Sequence, residues 1–204
     1  MDIVYASELS RAASNHDEKQ VASLLASNAS VHDKDSLEQT PLILCVRGRA
    51  DDEAAAEAIA ACTKLLIEAG ADVNTPDSYG DQPLALCCMH GGGVPKTGAV
   101  KVLLDANADV LAVTDNFKMT PLHWAATCGS TEICKMLIDA GARKNKIDRH
   151  RMTPIALARE QRKRLQDNLD DFGEEYKGSD KLEKLKAYSQ LIDYFESVPG
   201  LKKD

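Results

Sequence analysis

Four short stretches of this chain spell one pattern: Thr40-Pro-Leu-Ile, Gln82-Pro-Leu-Ala, Thr120-Pro-Leu-His and Thr153-Pro-Ile-Ala, the last two beginning 33 residues apart. An Asp stands five residues before each start, at Asp35, Asp77, Asp115 and Asp148, and an aliphatic doublet recurs at Leu66-Ile67, Leu103-Leu104 and Leu137-Ile138. A degenerate copy begins near Ser7, with Leu24-Leu25 as its doublet. A unit this short cannot bury an apolar face alone, so copies must stack side by side and share a continuous core.

The repeated positions carry their own physics. Asn28, Gly70, Asn107 and Gly141 follow the doublets, and glycine or asparagine is what a helix end in the left-handed conformation requires. The proline one residue into each unit suits the first turn of a helix, where no amide hydrogen bond is lost. Each unit therefore reads as helix, turn, helix and an extended finger that leads to the next.

The segment Thr120-Pro-Leu-His-Trp-Ala-Ala-Thr-Cys-Gly129, followed by Leu137-Ile-Asp-Ala-Gly-Ala142, resembles the ankyrin repeat, and the resemblance covers residues 7 to about 158 with a C-terminal variant beyond. It implies an all-α solenoid of about five helix-turn-helix units, starting near residues 7, 40, 82, 120 and 153, with short β-hairpin fingers. The array would span 1–158, and residues 159–204 would form an extended C-terminal helical hairpin that caps it. The resemblance also implies that His123 bonds the backbone and Thr120 to fix its turn.

Three units are too long for the template. The third has four extra residues, in the stretch His90-Gly-Gly-Gly-Val-Pro-Lys-Thr-Gly98. The second has nine, and Asp51 or Asp52 is placed to cap a second helix that starts about two turns early. In the fifth, the run from Thr153 becomes a long charged helix, breaks around Gly173 to Gly178 and returns with Leu182, Leu185, Tyr188, Ile192 and Phe195 on one face. This added material falls at the edge opposite the fingers. It can cap the stack or offer a second interface.

The register disposes of most candidate chemistry. Cys45 and Cys87 occupy a position where other units carry Ala12, Ala125 and Ala158, and Cys62 and Cys134 fall in the apolar stripes of second helices. These are small core residues. Cys87 and Cys88 point about 100° apart on a helix, and no partner pair at zinc-finger spacing follows. A phosphate loop needs Gly before its Lys-Ser/Thr, but Pro95 precedes Lys96-Thr97. An HGGG oxyanion loop needs a Gly-x-Ser-x-Gly elbow, which the chain lacks. Neither an enzyme nor a cofactor or metal site is expected.

A formal charge of −7 argues against general attraction to nucleic acid. No apolar run approaches the roughly 20 residues of a membrane helix, and the start Met-Asp-Ile-Val-Tyr-Ala-Ser-Glu lacks the regions of a signal peptide. Six cysteines without paired spacing then read as reduced thiols of the cytoplasm, with the nucleus as the other compartment. The expected partner is another protein, met by a monomer or by a subunit of a hetero-complex.

Candidate contact residues lie on the fingers. Two positions after each Asp stand Leu37, Tyr79, Phe117 and His150, and two further on come Met119 and Met152. With only three Phe, five Tyr and one Trp in the chain, aromatic residues at finger tips point to binding anchors. Asp81 and Arg149 flank this row, and Trp124 is expected half-buried between units. The finger at 72–81 carries Asp72, Asp77 and Asp81 without a cation, whereas 143–151 carries Arg143, Lys144, Lys146, Arg149 and Arg151 against Asp148. Such a gradient would orient an elongated partner. The chain reads as an adaptor or scaffold that binds a protein through finger tips and concave helix face. Two alternatives stand beside this: a structural subunit docking through the enlarged junctions, and a substrate of asparaginyl hydroxylases, which modify the finger position held here by Asn74 and Asn145.

Overall fold

The computed structural model describes residues 6–89, 93–172 and 179–199, without the side chains of 169–172 and 179. Among these residues there are ten helices and no strand: α1 Glu8–Ser14, α2 Glu18–Ala26, α3 Pro41–Arg47, α4 Glu53–Glu68, α5 Pro83–Cys88, α6 Thr97–Asp105, α7 Pro121–Cys128, α8 Thr131–Asp139, α9 Pro154–Phe172 and α10 Ser179–Ser197. First helices stack in the order α1, α3, α5, α7, α9, and second helices in the order α2, α4, α6, α8, α10. One continuous core runs between the rows, from Leu9 through Leu42, Ile59, Leu84, Leu103, Leu122 and Leu137 to Leu191.

Local chemistry sets each helix end. Pro41, Pro83, Pro121 and Pro154 open their helices, where the missing amide costs nothing. The Ser7, Asp17, Thr40 and Asp52 side chains each accept from a backbone amide of the first turn, and Thr120 and His123 form a reciprocal capping box. Asp52 accepts from Ala55 N at 2.8 Å, which fixes the early start of the 16-residue α4. Asn28, Gly70, Asn107 and Gly141 have φ of 60°, 94°, 62° and 97°.

The fingers are hairpin-shaped turns rather than strand ladders. Each closes on a pair of main-chain bonds, the outer ones being Asp35 N to Gln39 O, Asp77 N to Asp81 O, Thr114 N to Met119 O and Asp148 N to Met152 O. In the first, second and fourth fingers the Asp Oδ1 also accepts two amides of its own turn, satisfying the backbone without a partner strand. Main-chain bonds join the first finger to the second, Ser78 N to Leu37 O, and the third to the fourth, Arg149 N to Phe117 O, both 2.9 Å.

The enlarged junctions are tied to the stack. Val94 N donates to Ala50 O at 2.8 Å, and the fully buried Lys96 donates through Nζ to the carbonyls of Val46 and Gly48 at the C-terminal end of α3. His16 Nε2 meets the neighbouring Cys45 carbonyl at 3.0 Å. The turn thus clamps one helix end as well as separating two helices. His90, Gly91 and Gly92 lie outside the described residues, as does the expected break from Gly173 to Gly178.

The end of the array is closed by α10, which packs on α8 and α9. It buries Tyr188, Leu191, Ile192 and Phe195. The expected apolar face needs one correction: Leu182 is 54% exposed and Leu185 only half-buried, so the buried face of α10 begins at Tyr188. Tyr188 donates to Thr127 O, and Lys144 donates to the carbonyls of Phe195 and Val198 at the far end of α10.

Candidate finger and concave-face interface

Leu37, Tyr79 and Phe117 stand at one repeated position and are 39%, 45% and 44% exposed, with His150 exposed at the same position of the fourth finger. Four turn geometries that share a positive φ one residue after this position (Glu38 58°, Gly80 75°, Lys118 53°, Arg151 62°) hold the row in register. Main-chain bonds between the first and second fingers and between the third and fourth tie neighbouring tips together.

Phe117 links the row to the concave face. Its ring stands edge-on to Trp124 of α7, with centroids 6.0 Å apart and planes at 89°, the arrangement that the aromatic quadrupole favours. Trp124 is half-buried, and its buried Nε1 has no hydrogen-bond acceptor among the described residues.

The structure separates the remaining candidates. Arg149 is exposed and donates through Nη1 to Asn116 O at 2.8 Å, so it reaches across to the third finger. Met152 is half-buried, and its carbonyl meets His123 Nε2 at 3.2 Å. Met119 is the correction here: it is only 6% exposed. The third finger turns its side chain inward as its amide closes on Thr114, so Met119 packs under the row and presents little to a partner. The basic count of the fourth finger also falls, since Lys144 is spent on α10.

Asp81 is half-buried, and its carboxyl is raised from 3.8 to about 6 by burial and by Asp77, with Arg47 opposing and Asp115 adding. His123 is held below its ordinary value by burial. Its Nδ1 accepts from Thr120 N at 3.1 Å, while Nε2 donates toward Met152 O, so the neutral ring ties a helix start to the fourth finger.

The Cys87, Cys88 and Cys134 thiols are poor nucleophiles. Burial pushes Cys87 up to about 11, and Cys88 and Cys134 are also raised by burial, which keeps the thiol protonated. Among the described residues, no group of three or more His, Cys, Asp or Glu could hold a metal ion, and no helix is long and apolar enough to cross a membrane. Asn74 is half-buried, with Oδ1 accepting from Asp109 N at 2.8 Å and Nδ2 near Asn107 O, whereas Asn145 is exposed.

Sequence reasoning missed Leu111, Val113 and Ile147, which are 43%, 36% and 45% exposed on the third and fourth fingers. The signal was present in the columns: Ile147 stands where other fingers carry Lys34, Pro76 and Thr114, and Val113 where they carry Asp33, Thr75 and Lys146.

Comparison with known proteins agrees with this geometry. The family model described as ankyrin repeats (3 copies) matches residues 9–112, 53–148 and 93–166. Ankyrin repeat domain-containing protein 63 of Mus musculus is 33% identical over 99 residues, covering 47% of this chain and 24% of that protein. Neurogenic locus notch homolog protein 1 of Xenopus tropicalis is 30% identical over 170 residues, covering 68% of this chain and 6% of that protein. The chain thus spans less than a third of the length of these relatives.

Proposed function

The chain belongs to the ankyrin repeat family, and on that premise we propose that it is a non-enzymatic adaptor or scaffold, binding a partner protein through its finger tips and the adjoining concave face. Ankyrin repeats are generally protein–protein interaction modules. The observation that carries the reading is the row Leu37, Tyr79 and Phe117: three large apolar side chains left exposed at one step of successive fingers. Exposed aromatic residues on a rigid support lose little entropy on binding and supply much of the contact energy. Free thiols, most of them buried, fit the cytoplasm or nucleus.

The test is site-specific photo-cross-linking in cells. A photoreactive residue at Tyr79 is expected to trap the partner, and one at the exposed Glu57 of α4 is not. Adducts from Glu57 alone would contradict the reading.

One observation favours a second reading, docking through the junction edge. Arg49, Asp51, Val94 and Pro95 line a groove with Glu183 and Lys184 of α10, so the enlarged units share one surface. A cross-linker at Lys184 that traps a stable assembly, with none trapped at Tyr79, would select it.

A further inference from the structure

We propose that the third and fourth fingers receive an acidic segment of the partner protein, one that carries Asp or Glu among aliphatic side chains. This rests on the finger-tip reading above and adds the chemistry of what those two fingers grip.

The cations come from one finger. Arg143, Lys146, Arg149 and Arg151 are all exposed, and among the described residues none of them pairs with a carboxylate. The acids beside them are committed elsewhere. Asp148 is buried and its Oδ1 accepts from the His150 and Met152 amides, while Asp115 pairs with Lys118 at 3.6 Å. Arg149 also bridges the two fingers, since its amide donates to Phe117 O and its Nη1 to Asn116 O. That contact holds the guanidinium in place and leaves its other N–H groups to a carboxylate. On a chain of net charge −7, this finger is a local positive field without an internal partner.

An apolar patch adjoins the cations. The third finger closes from Thr114 to Met119, five residues on, whereas the other three close over four. Counted from these outer bonds, Val113 and Ile147 each stand one residue before the closing amide, in the place of Lys34 and Pro76. They occupy matching places on adjacent fingers, with Leu111 two residues before Val113 and Phe117 at the tip. All four are exposed. Aliphatic side chains left in solvent beside unpaired cations complement a partner that brings apolar and acidic groups together.

Two features favour a polypeptide over another polyanion. Leu37 O and Phe117 O each accept an amide from the next finger, but no finger follows the fourth, and among the described residues nothing donates to the matching carbonyl of His150. An extended peptide beside that open edge brings amide donors. The second feature is charge at range. A net charge of −7 repels nucleic acid or an anionic membrane, whereas a short acidic segment meets only the local field. The second finger, with Asp72, Asp77 and Asp81 and no Lys or Arg between residues 72 and 81, repels the same segment and confines it to the third and fourth.

The experiment is selection of random 12-residue displayed peptides on the intact chain in about 0.1 M salt. Enriched peptides are expected to carry two or more Asp or Glu among Leu, Ile or Val, and to bind an Arg143→Gln, Lys146→Gln, Arg151→Gln triple variant about tenfold more weakly. Arg149 is kept because it joins two fingers. The same peptides with Asn and Gln in place of their acids should lose a similar factor on the original chain, a readout that no change in folding can mimic. Enriched peptides without acidic residues, or equally tight on the triple variant, would overturn the proposal, and their loss with a Leu37, Tyr79 double-alanine variant would spare the finger-tip reading. Such peptides persisting on the double-alanine variant, or no enrichment at all, would overturn both. Capture of a DNA duplex or of phosphatidylserine vesicles through the same three cations, with no acidic peptide enriched, would also overturn the proposal.

Discussion

The ammonium of Lys96, whose side chain has no solvent exposure, donates to the main-chain carbonyl of Val46, fifty residues earlier in the chain. A second bond reaches Gly48 O at 3.0 Å. A positive charge at the C-terminal end of α3 complements the carbonyls that end leaves unpaired, so the enlarged turn of the third unit supports the enlarged unit before it.

Lys96→Met keeps the apolar stem and removes the donor. Each buried acceptor left unmet costs about 1–3 kcal/mol, so thermal melting is expected to fall by several degrees. An unchanged melting temperature would show that the clamp contributes nothing. A deletion of 91–97 as a probe of the junction edge would also remove this lysine and confuse docking with stability.

Gly129 and Gly141 separate strain from contact. Both have left-handed backbone, with φ of 76° and 97°, so Ala at either pays the same strain, about 1–2 kcal/mol. Around Gly141 there is open space, but a Cβ on Gly129 would sit 3.1 Å from the Tyr188 ring. Urea denaturation should find Gly129→Ala more destabilising by about 1 kcal/mol. Equal midpoints would mean that α10 does not press on this turn.

How much of this could be read from the sequence depends on range. Turn-forming residues act locally, so the left-handed positions Asn28, Gly70, Asn107 and Gly141 and the Asp52 cap were visible in the chain itself. Lys96 was not, because its acceptors lie in another unit. Met119 shows the limit of spacing: it has the register of an exposed tip residue, but one switch of bonding from Asp115 to Thr114 turns it into the core. Lys144 counts toward a basic finger in the sequence, yet its partners on α10 are fifty-one and fifty-four residues away.

Asp81 predicts a pH-dependent stability. Its folded value of about 6 lies above the ordinary 3.8, so the folded chain holds the proton more tightly, and ionisation above pH 6 works against folding. Asp81→Asn should therefore raise stability at pH 7.5 by roughly 1 kcal/mol, a figure reduced for solvent screening of a half-buried group. The gain should shrink as pH falls toward 4. A gain independent of pH would contradict this account.

His16 and His123 act in the opposite direction. Burial lowers both below 6.5, so the unfolded chain takes up protons first, and stability is lost as pH falls through the unfolded value toward the folded ones. In the Asp81→Asn background the loss between pH 7.5 and 5 should be larger than in the original protein, since the opposing carboxylate is gone. Equilibrium denaturation at the two pH values measures it, and an equal or smaller loss would refute the assignment.

The central claim is that the exposed row on the fingers recognises a partner. Its most direct test is a quantitative pull-down from cell extract, comparing the intact protein with a Leu37, Tyr79, Phe117 triple-alanine variant shown by circular dichroism to be folded. The account predicts that a specific bound protein is lost with the variant. If every bound protein persists at the same level, the fingers are scaffolding and the claim fails.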